Sequence, residues 1–268
     1  MVAQLRGLWR RSLIRWPDGS NDTSTVVHWL QGPSFYADLR QPKPMRSFSG
    51  VRALADLSGD DCRWLARQEG FAGELGFDGR WFEWHRLIDL QPKSTHADAG
   101  TLHWDQHRLV ELGREIPYLE QWERDDAVPI EPCAAFLLRD PVHGIRALLI
   151  RVGGSFMFAR ERRVALPAGC SLLACVDAAH SLEEARGLID CEVSYGEITA
   201  RDFRVTASTL PHRVSDSLEP ELTDDTVSIL DGYSSGRRMR RNWSIVASEG
   251  RSRDALPEAR PGGKLFRP

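Results

Sequence analysis

No apolar run in this 268-residue chain approaches the roughly 18 residues that a membrane-spanning helix needs. No membrane-spanning helix is expected, and the chain reads as cytoplasmic. Its first residues, MVAQLRGLWRRSLIRW, are basic but contain no continuous apolar stretch and no small-residue cleavage site, so they do not read as a secretory signal. None of the five cysteines (Cys62, Cys133, Cys170, Cys175, Cys191) forms a C-x-x-C pair, and their number is odd. Reduced thiols are expected, rather than a disulfide framework. Neither sign of charge dominates: 35 Lys and Arg face 38 Asp and Glu, a net charge of -3, which favours neither nucleic acid nor an anionic membrane as partner. The sequence has no G-x-S-x-G, no P-loop and no Rossmann glycine set, so no motif fixes a reaction or calls for a cofactor. His96, His103 and His107 lie close together, and a helix would bring His103 and His107 to one face. The stretch TLHWDQHRLVEL (101–112) reads instead as strand, turn, strand, and no metal site is expected there.

What the chain does have is tryptophan, nine in all, and a hydrophobic share of 41% that supports a globular core. It also repeats itself. WLQGPSFYADLR (29–40) matches IRVGGSFMFARE (150–161), with Gly32, Ser34 and Phe35 each 121 residues before Gly153, Ser155 and Phe156. Trp122 precedes Trp243 by the same 121 residues. Between these anchors, SGDDCRWLARQ (58–68) and SLEEARGLI (181–189) both read as a short helix with a serine N-cap and acids in the first turn, 123 residues apart. Gly73-Glu74 and Gly196-Glu197 repeat that spacing. The run SLLAC, from Ser171 to Cys175, reads as an apolar strand.

The segments around these anchors alternate with period two. Val26, His28 and Leu30 oppose Val27, Trp29 and Gln31, while Trp81, Glu83 and His85 oppose Phe82, Trp84 and Arg86. Many short antiparallel strands avoid exposed edges by closing. The expected fold is all-β: two tandem antiparallel barrels, each with a short helix. The first spans 1–126 and the second 127–248, with 249–268 as a flexible polar tail.

The segment 29–40, the following Phe48-Ser-Gly50 and the strand YLEQWER (118–124) resemble the calycin superfamily of lipocalin-like barrels, within a duplicated two-barrel group of poorly characterised bacterial and fungal proteins. Gly7-Leu-Trp9 is similar to the lipocalin Gly-x-Trp signature. The resemblance implies that Trp9, on the first strand, pairs with Arg124 on the last, and that an apolar cup holds a small ligand.

The two halves differ in polarity. At a spacing of 121, Tyr36, Asp38 and Arg40 correspond to Met157, Ala159 and Glu161, and Glu83 and His85 to Arg204 and Thr206, which points to the first barrel as the site. Asp38, Arg40, Glu83 and His85 are the candidate catalytic residues. Glu83 or His85 could act as acid or base, and the Arg40 fork could hold a carboxylate or enolate. His28, Trp29, Tyr36, Trp81, Trp84 and Tyr118 are the candidate ligand-binding residues. The alternative placement puts Asp38 and Arg40 in a surface ion pair and turns Glu83 and His85 to solvent. The function expected is a cup for a small hydrophobic or aromatic molecule, with acid–base lyase or isomerase chemistry as its catalytic form. The alternatives are a non-catalytic binder and an interaction or scaffold protein with filled barrels. A homodimer is left open.

Overall fold

The alternating segments extend into strands, and in the computed structural model they build two antiparallel sheets. The structure describes residues 1–167, 169–200, 202–232, 238–251 and Leu256. The first sheet contains β1 (Gly7–Arg15), β2 (Asn21–Asp22), β3 (Val26–Gln31), β4 (Phe35–Gln41), β5 (Glu69–Phe77), β6 (Phe82–Asp89), β7 (Ala99–Asp105), β8 (Arg108–Gly113) and β9 (Leu119–Arg124). β9 pairs back onto β1, from Trp9 opposite Arg124 to Arg15 opposite Leu119, so eight strands close into a barrel and β2 forms a short flap on β1. The Arg124 guanidinium lies 5.8 Å from the Trp9 ring across this closure. The turn between β7 and β8 separates His103 from His107 as a hairpin does, with Gln106 at positive φ.

The second sheet contains β10 (Cys133–Arg139), β11 (Arg146–Val152), β12 (Ser155–Arg160), β13 (Glu192–Thr199), β14 (Asp202–Ser208), β15 (Glu221–Leu222), β16 (Thr226–Gly232) and β17 (Arg238–Gly250). Its order is β14-β13-β12-β11-β10-β17-β16-β15. It curls into a half-barrel in which β14 and β15 do not pair; the segment 215–218 runs between, with Leu218 donating to the Phe203 carbonyl of β14 at 3.0 Å and accepting from the Leu230 amide of β16 at 2.8 Å. The last strand runs to Gly250, past the expected start of a tail at 249, and Leu256 is buried in the second core. The rest of the expected tail, 252–255 and 257–268, lies outside the described residues.

Helix α1 (Gly59–Leu65) begins in a full capping box, in which the Ser58 side chain accepts from the Asp61 amide and the Asp61 carboxylate accepts from the Ser58 amide. The second half has two helices rather than one: α2 (Leu172–Asp177) and α3 (Leu182–Ile189). The run SLLAC is thus helical, not a strand. Five apolar residues carry no period that separates the two forms, and the Ser171 side chain, which accepts from the Ala174 amide, sets the helix start.

Both halves share one irregularity. β6 bulges opposite Ala72 and Gly73, and β14 bulges opposite Tyr195 and Gly196. A Cβ on Gly73 would stand 1.9 Å from the His85 carbonyl oxygen, and one on Gly196 would stand 2.3 Å from that of Arg204. The repeated glycine is the imprint of a repeated bulge.

The two sheets are joined by a core of their own. Leu8, Leu30, Ala37, Leu39, Ala72 and Ile88 leave the barrel on its outer face and pack with Ala135, Leu148, Ile150, Met157, Ala159 and Val193 of the second sheet and with the three helices. Gly70 makes the approach close: a Cβ there would stand 3.0–3.1 Å from Thr209 and Val193. His28 lies at this seam, buried, its ring stacked on Tyr195 at 4.3 Å. Burial, aided by the charge of Arg10, lowers its pKa to about 3, so the imidazole is neutral. The polar ends are tied separately. The Glu249 carboxylate accepts from the amides of Ser34 and Phe35 at 2.8 Å each, and from the Ser34 hydroxyl at 2.7 Å.

Gly73→Ala is expected to cost about 2–3 kcal/mol, because the bulge must open to admit the methyl group; urea unfolding measures this, and a loss below 0.5 kcal/mol (order of magnitude for a neutral surface change) would contradict the bulge argument. Neutral His28 gives stability that is fully present above its ordinary pKa of 6.5 and is lost as pH falls from there towards 3. His28→Phe is therefore expected to remove about 2 kcal/mol of the stability lost between pH 7 and pH 5. Unfolding curves for both proteins at the two pH values test this.

Candidate functional site

The inner face of the first barrel is half apolar and half ionic. The apolar half is full. Trp29 packs against Trp9, Trp84 and Trp122 at ring separations of 5.6, 6.0 and 5.2 Å. The Trp9 indole donates to the Leu5 carbonyl at 2.7 Å and that of Trp29 to the Gln31 side chain at 3.2 Å. These rings are core, each near-complete in its own contacts. Of the four, Trp84 also faces a cleft of about 960 Å³ at the barrel mouth.

The ionic half begins at β4. Tyr36, Asp38 and Arg40 point inward, since Phe35, Ala37 and Leu39 point to the seam. Arg40 grips both Asp38 oxygens at 3.1 and 3.2 Å and reaches Glu120 at 3.4 Å. Arg11, from β1, binds the same Glu120 oxygen at 2.6 Å. The pair is thus buried, not on the surface, and the fork of Arg40 is already occupied by carboxylates of the chain. Further round the barrel, Arg86 binds Asp98 at 2.6 and 3.0 Å and Asp89 at 3.1 Å. The β6 bulge allows this: with Leu87 as the extra residue, Arg86 and Asp89 both turn inward. The Phe71 ring lies between the two guanidiniums, 3.5 Å from Arg86 and 5.1 Å from Arg40.

Glu111 completes the layer from β8, directly opposite Glu120 on β9. It accepts from the Tyr118 hydroxyl at 2.6 Å and from the Trp122 indole at 3.1 Å. Burial first, and Glu120 second, push its pKa well above the ordinary carboxylate value. Asp38 and Glu120 are also raised by burial, against the opposing pull of their arginines. The Tyr36 hydroxyl is buried without a hydrogen-bond partner, among the charges of Arg86, Asp98, Asp38 and Asp89.

The cleft is lined by the polar groups Arg40, Arg86, Asp89, Asp98, Tyr118 and Glu120, by the further cations Lys93, Arg146, Arg162 and Arg163, and by the apolar Ile14, Trp84, Leu87, Ile116 and Leu166. The segment 161–166, from the second half, forms part of its wall. Glu83 and His85 pair with each other at 3.2 Å, but with side chains 36% and 54% exposed, on the opposite face of β6 from Phe82 and Trp84. They touch the outer part of the cleft and are separated from Asp38 by the sheet itself. Trp81 sits outside the barrel, under Arg80 and Arg114 at 4.9 and 5.8 Å, and does not line the cleft. His28 belongs to the seam. Arg11, Arg86, Asp89, Asp98, Glu111 and Glu120 were not singled out from the sequence. A signal existed for Glu111 and Glu120: each is a carboxylate two residues along a strand from a core residue, Leu109 and Trp122, and so shares its face.

The contrast between halves also changes. Tyr36 pairs with Gly73, and Phe156 pairs with the equivalent bulge residue Gly196. The counterparts of Tyr36, Asp38 and Arg40 are therefore Phe156, Phe158 and Arg160, one position from the match made on Gly-x-Ser-Phe. A one-residue slip in a strand exchanges its faces. The second half is not plain inside. Arg160 lies across from Glu192 as Arg40 lies across from Glu69, and Glu192 accepts from Arg213 at 2.9 Å and from Ser194 at 2.8 Å. Burial would raise Glu192, but Arg213 and Arg160 outweigh it and hold the group below its ordinary value. Among the described residues, no three His, Cys, Asp or Glu side chains are grouped to hold a metal ion, and no helix is long and apolar enough to cross a membrane.

The chain is thus an all-β protein of two barrel-like sheets, one closed and one curled. No family model and no curated protein matches it. Among solved structures it is similar to the crystal structure of the uncharacterized protein YLR301w from Saccharomyces cerevisiae, at 13% identity and a TM-score of 0.54, over 91% of this chain and 98% of that one. The likeness extends over both sheets and concerns the fold alone.

Glu111→Gln is expected to keep the fold, since the amide oxygen can accept from Trp122 while its nitrogen donates to Tyr118. A raised folded-state pKa means that Glu111 is least costly below its ordinary value of 4.5 and destabilises progressively as pH rises towards the folded value. The variant should therefore gain stability over the wild type as pH rises from 4.5 to 8. A parallel pair of stability–pH curves would refute the assignment.

Proposed function

We propose that the first barrel is a binding cup for a small molecule, seated at the mouth rather than deep inside. The carrying observation is the cleft of about 960 Å³, whose lining combines apolar groups (Trp84, Leu87, Ile116) with polar and ionic ones (Arg40, Glu120, Tyr118, Asp98). Such a site suits an amphipathic molecule: an apolar or aromatic body packs on Trp84, and a polar end meets the ionic groups. A volume of this order accommodates a metabolite-sized ligand. The filled tryptophan core argues against a ligand buried at the barrel centre. The closed barrel and the Trp9–Arg124 contact support a place among the calycins.

One observation favours proton-transfer catalysis as a second reading. Glu111 is biased towards its protonated form, while Glu120, opposite it, is held by two arginines. Burial raises both, Glu111 further because no guanidinium binds it, and an unequal pair of this kind can divide the roles of acid and base.

Native mass spectrometry of the purified chain, alone and after incubation with a metabolite library, tests the cup. The expected result is a 1:1 adduct that Ile116→Arg weakens at least about tenfold, because Ile116 is 50% exposed on the cleft wall and its replacement blocks the entrance without disturbing the core. An adduct indifferent to that change lies elsewhere, and a library without adducts removes the cup. Deuterium taken up from D₂O into the bound molecule would support catalysis; an unexchanged ligand would leave a binder.

A further inference from the structure

Of the five thiols, four are buried and Cys170 is exposed. Cys62, Cys133 and Cys191 are closed off, and burial pushes Cys133 and Cys191 up to about 11. Cys170 stands four residues after Leu166, the end of the segment that walls the cleft, and one residue before Ser171, the N-cap of α2. The Ser171 hydroxyl accepts from the Ala174 amide at 3.1 Å, and the Ser171 carbonyl accepts from the Cys175 amide at 3.0 Å. The capped turn places its neighbours. In such a turn the residue before the cap and the fourth residue of the helix lie against each other, and apolar side chains use the two positions as a staple. Here both positions hold cysteine: Cys170 and Cys175. Their side chains share a hydrogen bond. Burial first, then the neighbouring Cys170, hold the Cys175 thiol above its ordinary value, against the pull of the Arg162 guanidinium.

We propose that Cys170 and Cys175 form a thiol–disulfide exchange site that takes small-molecule disulfides of the glutathione class and closes to an intramolecular disulfide. Exposure sets the order of attack. The Cys170 thiolate attacks one sulfur of glutathione disulfide; that S–S bond breaks, and one glutathione leaves as a thiolate, which takes up the proton Cys170 gave to water. Cys175, 7% exposed and covered by the seam core, meets only a sulfur already bound to Cys170. Once deprotonated, it attacks the Cys170 sulfur of the mixed disulfide. The bond to glutathione breaks, and the second glutathione leaves and is protonated in turn. Two protein thiols are oxidised and one disulfide is reduced to two thiols, so electrons and protons balance. Among the described residues, no third His, Cys, Asp or Glu joins the pair as a metal site would require. Closure ties Cys170 to the seam. Leu172 and Cys175 pack in the seam, and the Leu172 amide donates to the Gln91 side chain of the cleft lining at 3.4 Å.

The test equilibrates the full chain in glutathione redox buffers, quenches it with acid, alkylates the free thiols and reads the peptides by mass spectrometry. Trypsin leaves Cys170 and Cys175 together on the peptide 164–186 and the other three cysteines elsewhere. In the native chain this peptide is expected to lose two hydrogens and to carry no glutathione. Cys175→Ala should instead keep one glutathione on Cys170, and Cys170→Ser should leave Cys175 reacting at least about tenfold more slowly than Cys170 does in the wild type. Two cysteines five residues apart also meet in an unfolded chain, so the same buffers are run in concentrated urea. The ratio of disulfide to dithiol is expected to be at least about tenfold higher in the native chain, because the capped turn holds the pair together. A native chain that retains glutathione on Cys170, a disulfide that joins any other pair, or a ratio equal in urea would each overturn the proposal.

Discussion

The structure depends on a seam. Each sheet has two faces, and each uses both: the inner face fills a barrel or half-barrel, and the outer face packs on the other sheet. Strands β4 and β12 are therefore buried almost along their whole length, with Ala37, Leu39, Met157 and Ala159 at the seam and Tyr36, Asp38, Phe156 and Phe158 inside. A barrel standing alone would give its outer residues to water. Here they form an apolar contact that fixes how the halves meet, and so brings the segment 161–166 of the second half over the mouth of the first.

That double burial explains what the sequence made legible and what it hid. The duplicated sheet could be read because particular points leave chemical marks: a serine cap, a glycine under a bulge, a tryptophan on the last described strand of each half. Face assignment could not be read in the same way. A strand with both faces buried does not alternate cleanly, and the Gly-x-Ser-Phe match slid the two halves by one residue, which turned Arg160 outward on paper and made the second half look apolar inside. Tyr118 and the Asp38–Arg40 pair were visible as polar groups at strand positions. Glu111 and Glu120 were not, because their meaning lies in a cross-strand pairing that only the register of β8 and β9 reveals. Glu83 and His85 share a face as alternation requires, but it is the outer one, a choice that period two leaves undecided.

The ionic layer also bears on the division of labour between the copies. Burying charges is costly unless they are matched, and the second half matches Glu192 with arginines at the sites Arg160 and Arg213. The first half keeps a carboxylate pair, with Glu111 bound by neutral donors and Glu120 by Arg11 and Arg40. Matching is incomplete in both copies, since Glu192 Oε2 and Asp231 Oδ1 of the second half are buried without a hydrogen bond.

The Glu249 clasp has a consequence for the order in which the chain becomes native. Its acceptors meet Ser34 and Phe35 across 214–215 residues of sequence. During synthesis the first hairpin emerges long before its partner exists, so its two amides stay with water until β17 leaves the ribosome. Contacts of such separation are the slow ones in folding. The first barrel can close early, but its hairpin tip is locked by nearly the last strand to appear.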